Sequence, residues 1–174
     1  ARLPEIARWM AGQFRPSAGC FETLTATPRS RAAGLAPPDP WEFARSFAAA
    51  ARILDECGID TILSTADLRT CRVHFCPAGR DVLIVSPDGA VDACYLLEED
   101  WRRRGLNMRL GRLNSHGLEI DPDALRFVRG LTVLDKRLCA DCLCRYHCAG
   151  GCHVNHDTSL SAGQFDAVCV QTRI

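Results

Sequence analysis

Five cysteines fall within the fifteen residues 138–152, LCADCLCRYHCAGGC, and six more are spread over the rest of a 174-residue chain. Thiols this dense serve one of three chemistries: disulfides, a zinc site or an iron–sulfur cluster. Disulfides fit poorly. The count of eleven is odd, and 47% of the residues are hydrophobic, enough to build a core without covalent staples. Cysteines two residues apart, such as Cys139 and Cys142, more often hold a metal or do redox work than pair with each other. The cluster reads Cys139-x2-Cys142-x5-Cys148-x3-Cys152, with Cys169 following after sixteen intervening residues. Upstream, Cys76 is followed by twelve residues, Gly89, four more residues and Cys94. A tight loop converges several soft thiolates without a large core around them. On this spacing alone, Cys139, Cys142, Cys148 and Cys152 could serve zinc as readily as iron.

The whole set is more specific than the cluster. Seven cysteines and one glycine, in the order just given, resemble the signature of the SPASM domain. This is the C-terminal extension of many radical S-adenosylmethionine enzymes. The segments CPAG, PDGAVDAC and CAGGC are similar to that family as well, and the likeness spans residues 76–169. The resemblance implies two auxiliary 4Fe-4S clusters with interleaved ligands. Cys76, Cys94 and Cys152 would hold the first. Cys139, Cys142, Cys148 and Cys169 would hold the second. The first then lacks a fourth ligand: Cys71 is the candidate, and an iron open to substrate is the alternative. Of the remaining thiols, Cys20 and Cys57 are expected in the core. Cys144 is expected as a small buried residue or a hydrogen-bond donor to a cluster. His153 and His156 follow Cys152 with zinc-like spacing, but a supporting or surface role is expected, because the thiolates already suffice.

The resemblance also implies a parent enzyme. That enzyme would be an oxidoreductase modifying a ribosomally made peptide or protein, a peptide maturase, and FETLTATPRS and GLAPPDPWEFAR look most like such enzymes. Its partners would be the precursor peptide and an electron donor such as a flavodoxin or ferredoxin. The radical-generating cluster of that family is held by Cys-x3-Cys-x2-Cys, which occurs nowhere in this sequence; Cys144-x3-Cys148-x3-Cys152 misses it by one residue. The family's glycine-rich cofactor-binding strand is not visible either. S-adenosylmethionine and a third 4Fe-4S cluster are therefore expected only in an intact enzyme, with electron transfer or substrate positioning left to this segment. A zinc module that scaffolds a partner, without catalysis, is the alternative from another class.

The elements that would position these thiols divide near residue 70. Residues 2–15 place Leu3, Ile6, Trp9, Met10 and Phe14 near helical spacing. Residues 18–27 read as a strand carrying Glu22, and 28–40 as a proline-rich loop. A strong helix follows, with Asp39 as N-cap, Pro40 in the first turn and Glu42 completing a capping box. It puts Phe43, Phe47, Ala50, Leu54 and Cys57 on one face and stops at Gly58. Residues 59–65 read as a buried strand. Strand, helix and strand make a β-α-β unit with parallel pairing. One such unit cannot close a sheet, so residues 1–70 read as the end of a larger α/β domain; the resemblance implies that they are the last part of the partial (β/α)6 barrel that precedes SPASM in that family. Residues 71–174 are expected to form a small α+β SPASM domain. It would have a hairpin in 81–96 turning at Pro-Asp-Gly, a helix over 121–134 capped by Asp121, and a metal-organised cysteine knot.

Charge narrows the partners. The 21 lysines and arginines equal the 21 aspartates and glutamates, so nothing electrostatic proposes nucleic acid or an anionic membrane. Arg102, Arg103 and Arg104 form the only basic run, and a solvated surface explains it. No apolar run approaches the roughly 20 residues that span a bilayer. A cytoplasmic protein is expected.

Overall fold

The computed structural model describes residues 2–24, 28–156 and 166–173. The chain divides into two compact units, Ala1–Cys71 with Leu160–Ile174, and Arg72–Ser159. Both mix helices with a small sheet.

The first unit begins with helix α1 (Leu3–Gln13). Its inward side is the expected one only in part: Leu3 packs on the core and Met10 is half-buried. Ala7 is fully buried, with Leu3 and Ala11 beside it, while Ile6, Trp9 and Phe14 are exposed. Strand β1 (Ala18–Phe21) covers the start of the expected strand, and residues 25–27 of that reading lie outside the described residues. Helix α2 (Pro28–Ala32) interrupts the expected loop; proline suits a first helical turn, and the arginines and alanine after it are good helix formers. Helix α3 (Pro40–Glu56) starts as expected, with Asp39 Oδ1 accepting the Glu42 N–H at 2.9 Å. It packs against α1. The alanines of α1 let the two helices approach where bulkier side chains would hold them apart. Phe43, Ala50 and Leu54 of α3 are buried, and Phe47 meets Phe21 edge-on at 5.6 Å. Strand β2 (Asp60–Leu63) pairs parallel with β1, from Ala18 opposite Asp60 to Phe21 opposite Leu63. The β-α-β unit is present, with two strands among the described residues.

Two expected core thiols are not in this core. Cys57 is exposed. It is the C-cap of α3, where the chain leaves the helix, and Ile59 fills the space below. Cys20 is exposed because strand side chains alternate. Gly19 and Phe21 face inward, so Cys20 faces out.

The second unit holds an antiparallel sheet in the order β3-β4-β5-β6. Strands β3 (Ile84–Val85) and β4 (Ala90–Asp92) form the expected hairpin. Its turn closes with the Gly89 N–H donating to Ser86 O at 2.9 Å. Gly89 has φ +84°, and a Cβ there would lie 2.4 Å from Leu113 O, so only glycine fits. Helix α4 (Glu98–Arg102) buries Trp101, whose Nε1 donates to Leu96 O at 3.1 Å. The arginine run leaves α4 exposed to solvent: Arg102 pairs with Glu98, Arg103 with Asp100, and Arg104 donates to Val154 O. Strands β5 (Arg109–Asn114) and β6 (Gly117–Ile120) form a second hairpin. Helix α5 (Pro122–Gly130) is shorter than expected, although Asp121 caps it by accepting the Asp123 and Ala124 N–H groups. Thr132 ends the helical reading by capping a 3-10 turn over Val133–Asp135; a second runs over Arg137–Cys139, and helix α6 (Arg145–Cys148) follows. The core is Val91, Ala93, Trp101, Met108, Leu110, Val128 and Val154.

Helix α7 (Ala167–Arg173) returns to the first unit, where it packs on α3. Its buried Gln171 accepts the Thr23 hydroxyl at 3.2 Å. The expected second domain of 71–174 therefore begins near its expected start but gives up its last helix. Among the described residues, no helix is long and apolar enough to cross a membrane.

Candidate metal centre

The knot is wound from short turns rather than regular elements. The Cys139 N–H donates to Lys136 O at 2.9 Å, Cys142 to Cys139 O at 3.2 Å, Arg145 to Cys142 O at 3.0 Å and Cys148 to Cys144 O at 3.1 Å. Each link satisfies a backbone donor locally, so the segment needs no partner strand. The handedness then reverses. Ala149, Gly150 and Gly151 are all left-handed, with φ of +47°, +73° and +69°. A Cβ on Gly150 would lie 2.9 Å from Lys136 Cδ, and one on Gly151 2.3 Å from His156 Cδ2. The two glycines of CAGGC therefore meet both a backbone and a space requirement. Ala149, fully buried, carries left-handed geometry that costs an L-residue about 1–2 kcal/mol. Continuing α6 would stack Cys152 over Cys148 on one helix face. The reversal breaks that face, and Cys152 packs on an apolar cluster.

Six of the seven thiols of the second unit fall into two groups of three, with Cys144 outside both. Cys94 and Cys152 pack on the same apolar cluster, around Val91 and Trp101. Burial pushes the Cys94 thiol up from its ordinary value, the Leu96 backbone pulls it down, and the charges of Cys152, Cys76 and Asp92 push it up again. Cys76 is exposed. The other group is Cys139, Cys142 and Cys148. Burial raises both Cys139 and Cys148; Cys142 and Cys148 raise Cys139 further, and Cys142 raises Cys148. Lys136 pulls both down. Three sulfurs that disfavour one another's ionised form are the donor set that a bound cation relieves.

The other singled-out residues stand elsewhere. Cys169 lies on α7 and Cys71 closes the first stretch of the chain, so both belong to the first unit. Cys144 is half-buried as the N-cap residue of α6. His156 is buried, which rules out the surface role for it. His153 is held down to about 4, first by burial and then by the charges of Lys136 and His74. Its Nε2 is buried without a hydrogen-bond partner, as is His74 Nδ1. Glu22 is exposed just past the end of β1. Sequence reasoning passed over Lys136. Its signal was composition: of 21 lysines and arginines, it is the one lysine.

The donor chemistry fits a soft metal centre. None of the eleven cysteines is in a disulfide. Among the described residues, no three of these sulfurs lie within 4.8 Å of one another. A tetrahedral zinc with Zn–S of about 2.3 Å would hold its sulfurs about 3.8 Å apart. Neither group is drawn together as tightly as such a cage. Comparison with family models, with curated proteins and with solved structures gives no match to this chain.

Proposed function

We propose that this chain is the auxiliary iron–sulfur segment of a radical S-adenosylmethionine enzyme that modifies a peptide or protein. The observation that carries the reading is the sorting of six thiols into two threes within one small unit, in the register of the SPASM signature. Cys76, Cys94 and Cys152 would hold one 4Fe-4S cluster, with Cys71 proposed as its fourth ligand. Cys139, Cys142 and Cys148 would hold the other, with Cys169 as the fourth. Such clusters supply one-electron exchange at a potential set by burial, charge and hydrogen bonds to sulfur. Val91, Trp101 and Leu110 would keep water from the Cys94 and Cys152 side, while exposed Cys76 leaves the other side open to a substrate or a donor protein. A precursor peptide and a flavodoxin- or ferredoxin-like donor are the proposed partners. The cytoplasm is the proposed compartment, since thiols kept for metal need a reducing one.

Anaerobic reconstitution tests the reading directly. Two cubanes require roughly eight irons and eight sulfides per chain, with absorption near ~400 nm that bleaches on reduction. Uptake of one or two zinc ions and no iron would sink the proposal in favour of a zinc scaffold. With no Cys-x3-Cys-x2-Cys in the sequence, the loaded chain alone should release no 5′-deoxyadenosine from S-adenosylmethionine under strong reductant. Chromatographic detection of that product above a protein-free control would make one of the two clusters catalytic.

A further inference from the structure

The two thiol groups stand in different electrostatic surroundings: Lys136 and Arg145 pull Cys139 down, whereas Asp92 pushes Cys94 up. Lys136 sits between the two 3-10 turns, three residues before Cys139, and accepts that cysteine's N–H on its own carbonyl. Its side chain is half-buried and crosses to the loop between Cys148 and Cys152. There Nζ donates to Gly150 O at 2.7 Å and reaches Gly151 O at 3.4 Å. The left-handed reversal turns both carbonyls toward one point, and the absent Cβ of Gly150 leaves room for the Lys136 stem. A compact ammonium with three rotatable donors suits two neighbouring carbonyls; a planar guanidinium suits a bidentate acid. That distinction gives a reason for the chain's single lysine to stand here among its arginines. Around Cys94 the nearby charge is of the other sign. Asp92, two residues earlier, faces it, with Arg109 Nε holding the Asp92 carboxylate at 2.5 Å.

We propose that Lys136 sets the two centres to different reduction potentials, with the centre of Cys139, Cys142 and Cys148 the more positive. This rests on the reading that both centres hold 4Fe-4S clusters. A fixed cation stabilises the extra negative charge of a reduced cluster, and the half-buried site weakens screening by solvent. A single electron shared by the pair would reside at the centre beside Lys136. Electrons entering at exposed Cys76 would thus run inward to the knot.

The test is an electron paramagnetic resonance potentiometric series on the full chain loaded with iron, with Cys94→Ala used to assign the two signals. Lys136→Met should move the knot centre to a more negative potential by at least tenfold in its reduction equilibrium, about 59 mV for a one-electron couple. The other centre should stay in place. Lys136→Arg keeps the charge and should keep most of the separation. Should Lys136→Met fail to take up iron, Lys136→Gln retains an N–H donor for Gly150 and carries the same expected shift. Full iron loading with an unmoved knot potential, or equal shifts of both centres, overturns the ordering alone. Lys136→Arg behaving as Lys136→Met overturns charge as its cause. Zinc without iron overturns the underlying reading, and the ordering with it.

Discussion

The two units solve the problem of a small core in different ways. The first spends its length on two helices of eleven and seventeen residues and closes them over Phe21, Phe43, Ala50 and Leu54. Cys20, Cys57 and Cys71 of this unit are exposed, outside that core. The second has strands of two to six residues, and its cysteine knot is a run of turns. Its apolar cluster lies under the sheet and reaches the knot through Val154 and the flank of Cys152. The first unit is held by burial; in the second, the proposed metal would order the knot beside an apolar cluster that the sheet and α5 already build. A short chain segment recovers little hydrophobic free energy, and metal binding can supply the rest because binding and folding are linked.

The strongest way to break this comparison is to withhold the metal. Without metal, amide protection should vanish across the knot, residues 136–156, and persist in α1 and α3. Equal protection with and without metal, by hydrogen exchange, would mean that the knot folds on its turns alone. Removing single thiols comes next. Cys148→Ala and Cys94→Ala should each remove roughly half of the iron, as loss of one of two cubanes would. Cys57→Ala and Cys144→Ala should leave it intact. Iron loss in Cys144→Ala equal to that in Cys148→Ala would show the register through the knot to be wrong. In the first unit, Leu54→Ala should destabilise by about 2–5 kcal/mol through the cavity it leaves. Denaturant unfolding measures it, and iron content should not change. Gly151→Ala should cost the second unit at least about 1–2 kcal/mol for left-handed backbone, plus displacement of the His156 ring. Unaltered metal affinity in that variant would deny the reversal its role. The smallest effect sharpens rather than breaks the contrast: Asp39→Ala should cost about 1 kcal/mol of first-unit stability, read as a small shift of its melting temperature alone.

Much of the first unit was legible because its signals are local. Asp39, Pro40 and the aromatic spacing of α3 announce a helix whatever surrounds it, and the strands on either side imply their parallel pairing. The Gly89 hairpin was legible for the same reason: a turn that needs positive φ declares itself in Pro-Asp-Gly. The second hairpin was missed. Its strands, RLGRLN and GLEI, lack a strict apolar–polar alternation, and the tight approach at Gly111, where a Cβ would meet Glu119 O at 1.9 Å, hides in an unremarkable triplet. Trp101 was masked by the arginines after it, although an aromatic flanked by Glu98 and Arg102 is what a short surface helix with one anchor looks like.

The sequence by itself determined the thiols, their intervals and the residues able to turn the chain between them, because spacing and glycine are properties of the chain. Which face a helix or strand buries was decided by its neighbours: α1 turns its alanines to α3, and Cys20 and Cys57 face out because Phe21 and Ile59 fill the core in their place. Tertiary structure decided what Cys152 packs against. Three consecutive left-handed residues end α6 after Cys148, and Cys152 packs on the apolar cluster of Cys94. It alone carried the ammonium of Lys136 across to Gly150. Spacing records how far apart two residues are along the chain, but handedness and long-range contacts decide what each of them faces.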